Sequence, residues 1–455
     1  MQFISCNPFN NELLKTFNFK TSAELELALV NSSNAFINWR NTTLNHKIQC
    51  VENLANLIAE RYKDLAKLSA IEMGKPITQA EDEVKKCAFV CRYYAENIEK
   101  YLTLHKFKLE GFNAEVVFEP LGAILGIMPW NYPYWQVFRY AIPALLSGNI
   151  VLLKHAPNLP QCALAIEKLF TDAGFSNGVF QNLFISHQQT EQVIKDKRIA
   201  AVTFTGSAKA GAIIGALAGG ALKKSVLELG GSDPFIVLKN ANIEKAAKFA
   251  VKARFNNAGQ ICIAAKRWIV HEKVAEEFLN HAINFISEWK IGNPIEADVN
   301  MGPLARTDLK ENLVRQVKKS IEMGAKVLHG NFGDSKHGSN FFNPIILGNV
   351  TKEMPAGCEE LFGPVATLYT FKTEQEAIDL ANDTEYGLGA AIWTSNKENA
   401  KELASKIETG TVAINGTVSS HPALPFGGVK QSGYGRELGL WGLQEFVNVK
   451  TITIR

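Results

Sequence analysis

Between residues 122 and 229 the chain passes repeatedly from a short apolar run to a segment of helical period and back. That alternation restricts the fold more than any other feature of the sequence. Gly122 to Ile127 and Ile150 to Lys154 read as buried strands, separated by a helix from Tyr134 to Leu146. Gly178 to Leu183, Ala200 to Thr205 and Ser225 to Leu229 continue the strands, with helices over Thr190 to Lys195 and Ala208 to Leu217. Strands that are apolar throughout and joined by helices imply a parallel, doubly wound sheet.

A second α/β run starts near Gly230. It has strands over Pro234 to Leu238 and Arg267 to His271, and helices over Ile243 to Phe255 and Val274 to Ile286. Four helical segments precede the first sheet: Ser22 to Trp39, Leu44 to Arg61, Tyr62 to Met73 ending at Gly74, and Glu81 to Tyr101. Glu115 to Pro120 alternates like an exposed strand, and the terminal run Glu445 to Ile454 is a strand whose natural partner is the segment around Tyr101 to Glu119. The fold class is therefore α/β, with residues 1–100 and 121–229 forming one unit, 230–443 a second, and 101–120 with 444–455 a small β element. At 455 residues the chain is long enough for two or three cores, and it carries no internal repeat or long linker.

Lys and Arg number 48 against 45 Asp and Glu, a net +3 with no long like-charge block, so nothing points to a nucleic-acid or membrane-surface partner. The first residues lack the basic and apolar regions of a signal peptide, and the weakly polar run Ala210 to Leu222 is too short and Gly-rich to span a bilayer. A cytoplasmic location follows as the expectation. The seven cysteines show neither disulfide-framework nor metal-ligand spacing, and Cys87 and Cys91, four apart, read as buried small hydrophobes on one helix face. No metal is expected.

Three segments carry chemistry. Cys262 follows Asn257-Ala258-Gly259-Gln260-Ile261, where a Gly-Gln pair permits close backbone approach to one sulfur, and it reads as a nucleophile. Glu228 ends an apolar run before Gly230-Gly231, a setting that raises a carboxylate toward general-base range. Asn131 lies in Met128-Pro129-Trp130-Asn131-Tyr132-Pro133, a proline-stiffened loop whose amide can donate to a developing oxyanion, worth roughly 3 kcal/mol beside the Cys262 N–H. For Cys262 there is a plainer reading, an inert buried thiol.

With Phe204-Thr205-Gly206-Ser207, Glu359-Glu360-Leu361-Phe362-Gly363-Pro364 and Pro425-Phe426-Gly427-Gly428 through Gly435-Arg436-Glu437, these segments occur in the order and spacing of the aldehyde dehydrogenase superfamily. The chain resembles that family along nearly its whole length. Leu153 to Asn158, Leu229 to Pro234 and Tyr134 to Arg139 are similar to its short bacterial succinate-semialdehyde dehydrogenases.

The resemblance implies a cofactor domain, a catalytic domain and a small β sheet shared between subunits of a homodimer or homotetramer. It also implies a Cys262 thiohemiacetal and thioester, the latter hydrolysed with Glu228 as base, and oxidation of succinate semialdehyde with NADP or NAD. The dinucleotide fingerprint G-x-G-x-x-G is absent from the strand-to-helix turns. In its place Thr205-Gly206-Ser207 opens a helix toward a pyrophosphate, although such a turn can equally be a simple helix cap. Glu360 and Phe362 are implied to hold the nicotinamide ribose and ring, a strand-end carboxylate and a core aromatic being their plainer readings, and Met128, Trp130 and Leu229 are implied cofactor contacts. Lys154 and Pro157 are implied on the ribose side, where proline removes a carboxylate that would repel a 2'-phosphate, so NADP is the expected preference.

Arg139, two turns after Asn131, is expected at the mouth of the substrate cavity as a clamp for the carboxylate of a short aldehyde, with Trp135, Ser419, Ser420 and His421 beside it. A surface salt bridge is its alternative role. Some relatives carry a proton-relay glutamate where this chain has Leu440, and a switch cysteine where it has Ala264. Glutarate semialdehyde or an uncharged aldehyde as substrate, a thiol-dependent esterase and a non-catalytic scaffold are the competing readings.

Overall fold

The computed structural model describes residues 2–331, 338 and 340–455. Its first sheet has six strands, in the spatial order Gly433–Tyr434, Lys224–Glu228, Ile199–Thr205, Ala123–Ile127, Ile150–Lys154 and Phe180–Asn182. Five run parallel, and only Gly433–Tyr434 is antiparallel, against Lys224–Glu228. The chain winds outward from Ala123–Ile127 in one direction and then from Ile199–Thr205 in the other. The carboxyl ends of those two strands thus flank a crevice, the place where such sheets take ligands.

The second sheet has seven strands, in the order Lys326–His329, Ile345–Gly348, Val365–Phe371, Arg267–His271, Pro234–Val237, Gly389–Trp393 and Thr411–Ile414. All pairings are parallel except the edge strand Lys326–His329. A three-stranded antiparallel sheet joins Val447–Ile454 to Phe112–Pro120, in the register Val447 to Pro120 and Ile454 to Asn113, with His105–Leu109 beyond. Gly433–Tyr434 lies inside the segment expected to belong wholly to the second unit, yet it completes the edge of the first sheet. Only a long-range pairing places it there, and a two-residue strand has no periodicity to read.

The four expected helices form a layer against the first sheet, and the fourth begins earlier than expected, at Ile77, because Pro76 takes the position just before the first turn. The hairpin of Phe3–Asn7 and Glu12–Phe17 was not expected. It docks through Phe3, which packs against Phe19 and Phe184, and through Ile4 N on Pro157 O. Among the described residues all seven cysteines are free, with Cys87 and Cys91 fully buried.

Candidate active site

Helix Ile243–Phe255 stops abruptly, and the next turn carries Asn257, Ala258 and Gly259 at φ of 52°, 53° and 72°. For alanine the left-handed region costs about 1–2 kcal/mol, so something must hold the turn. Its carbonyls are tethered from outside. Arg254, wholly buried, donates to Gly259 O at 3.2 Å and also to Val365 O and Leu361 O at 2.7 and 2.8 Å. Lys266 Nζ donates to Ile261 O and Cys262 O at 3.2 and 2.7 Å, and Gln260 ties Asn257 O to Ala305 N. A side chain on Gly259 would collide with the Gly363 carbonyl. With the carbonyls drawn outward, no hydrogen bond among the described residues engages the N–H of Cys262.

Asn131 is 3% exposed; its Nδ2 donates to Gln260 O at 2.9 Å, and Gln136 Nε2 donates to its Oδ1 at 3.1 Å. One amide proton is therefore fixed on the nucleophile loop while the second is free. The loop that carries Asn131 rests on a buried pair, Lys75 with Glu83, whose remaining carboxylate oxygen accepts from the N–H groups of Tyr134 and Trp135 at 2.8 and 3.0 Å. That carboxylate caps the start of helix Trp135–Leu146 and fixes the angle at which Asn131 meets Cys262. His155 Nε2 lies 2.9 Å from Pro133 O, and burial brings its imidazole down to about 4, so the ring is neutral and donates there.

Burial pushes the Cys262 thiol up to about 12, with Arg139 and Lys266 opposing the shift and Glu360 and Asp233 adding to it. The resting sulfur is thus a thiol that must lose its proton to react. Glu228 is 2% exposed, and neither carboxylate oxygen has a hydrogen-bond partner. Burial raises it well above the usual carboxylate range, the nearby Glu437 raises it further, and Arg139 and Arg436 pull the other way. Such a group is poised to take a proton. Its Oε1 sits where a side chain on Gly427 would lie 2.7 Å away, so glycine there leaves it room. The same strand end abuts the nucleophile, since a side chain on Gly231 would meet Cys262 O at 2.8 Å.

Arg139 reaches the expected cavity but is not free there. Rather than standing at a cavity mouth, it is 3% exposed, its Nε faces the Glu437 carboxylate as an ion pair, and its Nη2 donates to Thr205 Oγ1 at 3.2 Å. Glu437 itself is raised chiefly by burial, with Arg139 opposing. The sequence shows a guanidinium two turns from Asn131 but gives no sign of a carboxylate arriving from 298 residues further on. That carboxylate is a second buried acid beside Glu228.

Two cavities meet at Cys262. A cleft of about 980 Å³ is lined by Trp130, Asn131, Thr205 to Lys209, Leu229, Gly230, Glu360 and Phe362, among others. Ser207 Oγ caps helix Ala208–Gly220 by accepting from Ala210 N at 3.3 Å, so the helix N-terminus opens on this cleft. Glu360 Oε1 accepts from Gly231 N and pairs with Lys266, both at 3.0 Å, and the Trp130 and Phe362 rings meet edge to face at 5.6 Å. Met128, Lys154 and Pro157 do not line it. Met128 is buried with its N–H on Lys154 O, Lys154 points toward the Phe3 ring at 5.8 Å, and Pro157 lines a separate surface pocket.

The second cavity, about 270 Å³, is lined by Trp135, Arg139, Ser419 and Ser420, as expected, and also by Lys86 and Gln136. His421 is not part of its wall; the ring packs edge-on against Phe89 and Tyr93. Lys86, Gln136, Arg254 and Lys266 were missed. Lys86 left one trace in the sequence, a charge directly flanking the buried Cys87 and Cys91 face.

Residues 1–452 match the model of the aldehyde dehydrogenase family. The chain is 44% identical over 454 residues, covering 100% of both chains, to a probable succinate-semialdehyde dehydrogenase [NADP(+)] of Synechocystis. It is 45% identical over 450 residues, 99% of this chain and 97% of the other, to the succinate semialdehyde dehydrogenase [NAD(P)+] of Escherichia coli K12. Among solved structures, succinic semialdehyde dehydrogenase from Streptococcus pyogenes in complex with NADP+ superposes with a TM-score of 0.97 at 37% identity, covering 99% of each chain. A strained cysteine loop facing an amide donor, a raised carboxylate behind it and a match over residues 1–452 lead to one conclusion: this chain belongs to the aldehyde dehydrogenase family.

Proposed function

We propose that the chain oxidises succinate semialdehyde to succinate, with NADP or NAD as acceptor and NADP preferred. The observation that carries this reading is the meeting at one cysteine of two unlike cavities, a cofactor-sized cleft and a small pocket whose wall includes Lys86, Arg139 and Lys252.

The cleft fits a dinucleotide. A helix N-terminus suits the pyrophosphate, the Glu360 carboxylate suits ribose hydroxyls, and Trp130 with Phe362 suits a flat ring. Lys154 and Pro157 stand outside this cleft, so the NADP preference rests on the similar enzymes named for NADP(+) and not on those two side chains. When bound, the nicotinamide supplies the hydride acceptor.

The remaining work falls to this chain's own residues. Cys262 gives its thiol proton to Glu228 through a bridging water, its Sγ adds to the aldehyde carbon, and the Asn131 amide with the Cys262 N–H binds the oxyanion. After oxidation the acyl group is a thioester on Cys262. Glu228, having passed the first proton to solvent, takes a proton from the water that attacks the thioester, and the Cys262 sulfur leaves as the acid forms, with Glu437 holding the affinity of Glu228 for protons high.

Self-association and a cytoplasmic location complete the reading. The three-stranded sheet exposes Phe107, Leu109, Val449, Ile452 and Ile454, an apolar edge suited to a second copy. Seven free thiols suit a reducing compartment. No helix among the described residues is long and apolar enough to cross a membrane.

The test is initial-rate absorbance at 340 nm with succinate semialdehyde against butanal, each with NADP and NAD, alongside Cys262→Ala. Preference for the carboxylated aldehyde, abolished in the variant, supports the reading; equal rates discard the substrate, and no reduction with either cofactor returns the esterase or scaffold. Light scattering of the eluted protein reads the oligomer, and a monomer would remove that part.

A further inference from the structure

We infer that Lys86, with the Ser420 hydroxyl, is the group that binds the substrate's distal carboxylate and sets the preference for carboxylated aldehydes, a role the sequence suggested for Arg139. The inference deepens the proposed function and rests on it. It starts from a difference between cations in the wall of the pocket beside Cys262.

Arg139 is already neutralised by Glu437, and its remaining fork is engaged with Thr205. Lys252 lies at an exposed position on helix Ile243–Phe255, where water screens it. Lys86 is neither paired nor exposed. Its Nζ reaches no carboxylate within ion-pair distance among the described residues, and its hydrogen bond is to Ser420 Oγ at 2.8 Å.

The acid nearest along its helix, Glu83, is committed: one oxygen pairs with Lys75 and the other accepts from Tyr134 N and Trp135 N. Burial, reinforced by Arg139, brings the Lys86 ammonium down to about 8. A charge held in a pocket without a partner is costly, and an anionic ligand removes that cost on binding. Lys86 is also held in place, with Nζ 4.0 Å from the centroid of the Trp135 ring. Ser420 accepts from Lys86, so its own proton is free to donate to the same carboxylate. The ammonium on helix Ile77–Tyr101 and the hydroxyl on the loop before Pro422 together form a two-donor anion seat in the same cavity as the sulfur.

The experiment compares kcat and KM for succinate semialdehyde and butanal in the wild-type holoenzyme, Lys86→Met and Lys86→Arg. The expected result is a fall of about 10- to 100-fold in the ratio of kcat/KM for the two substrates in Lys86→Met, the scale of one charge-assisted hydrogen bond. The fall is carried by KM of the carboxylated aldehyde and partly restored in Lys86→Arg. If Lys86→Met does not fold, Lys86→Gln carries the same comparison. A wild-type preference for succinate semialdehyde that survives loss of the charge overturns the role of Lys86 and leaves the substrate reading intact. A wild type that does not distinguish the two aldehydes overturns both.

Discussion

The two cavities that share Cys262 are built from different materials. The cofactor cleft joins distant segments too, Trp130, Thr205 to Lys209 and Glu360 with Phe362, but at its centre it offers backbone: a strand end, a glycine, a capping serine and the first turn of a helix. The substrate pocket is made of side chains brought from far apart, Lys86 from one helix, Trp135 and Arg139 from another, Ser419 and Ser420 from a late loop. A cleft that offers backbone N–H groups tolerates changes of side chain. A pocket in which each charge has one partner or none does not.

The comparison can be broken first at the shared residue. Cys262→Ala should lower turnover with every aldehyde by about 10⁴-fold or more, as loss of a covalent nucleophile does. Any dehydrogenase activity surviving near wild-type level would remove Cys262 from the mechanism. Asn131→Ala should lower kcat by about 10²- to 10³-fold with little change in KM, as loss of one oxyanion donor does. A change confined to KM would assign the amide to ground-state binding.

Within the pocket, Arg139 and Glu437 offer a paired test of sign. Arg139 holds the protonation range of Glu228 down and Glu437 holds it up. Arg139→Met should therefore move the acid limb of the kcat profile to higher pH, and Glu437→Gln should move it to lower pH. Arg139→Met also leaves the buried Glu437 carboxylate without its cation, a loss of about 3–5 kcal/mol in stability unless it stays protonated. Shifts in the same direction, or a KM effect restricted to carboxylated substrates, would return Arg139 to the clamp role.

The smallest effect belongs to the cleft. Ser207→Ala removes one cap from helix Ala208–Gly220 and should cost about 1 kcal/mol in chemical denaturation, with only a modest rise in KM for the dinucleotide. A large rise would mean that the hydroxyl itself holds the ligand.

The same contrast explains what could be read from the sequence. The five parallel strands of the first sheet and the first two, in chain order, of the second were legible because buried parallel strands are apolar throughout and helices keep a period near 3.6, whereas the later strands of the second sheet, from Lys326–His329 to Thr411–Ile414, were not read. Cys262, Glu228 and Asn131 were legible because each sits in a backbone motif of fixed spacing. The pairing of Arg139 with Glu437 was not, because it joins positions on a helix and a late loop that nothing local relates. Lys86 was hidden for the opposite reason: its meaning lies in lacking an acidic partner, which only the packed structure reveals. The Phe3–Asn7 hairpin escaped because its second strand, Glu12–Phe17, is largely exposed and has no apolar face to announce it.

The ammonium of Lys266 contacts both the Cys262 carbonyl and Glu360. Filling the cleft and charging the sulfur are consequently not independent events. A ligand that draws Glu360 away from Lys266 alters the field at Cys262, and by reciprocity the chemical state of Cys262, thiol, thiolate or acylated, sets how firmly that ligand is retained. Occupancy of the cleft and the state of the sulfur are thereby coupled through a single shared hydrogen-bond donor.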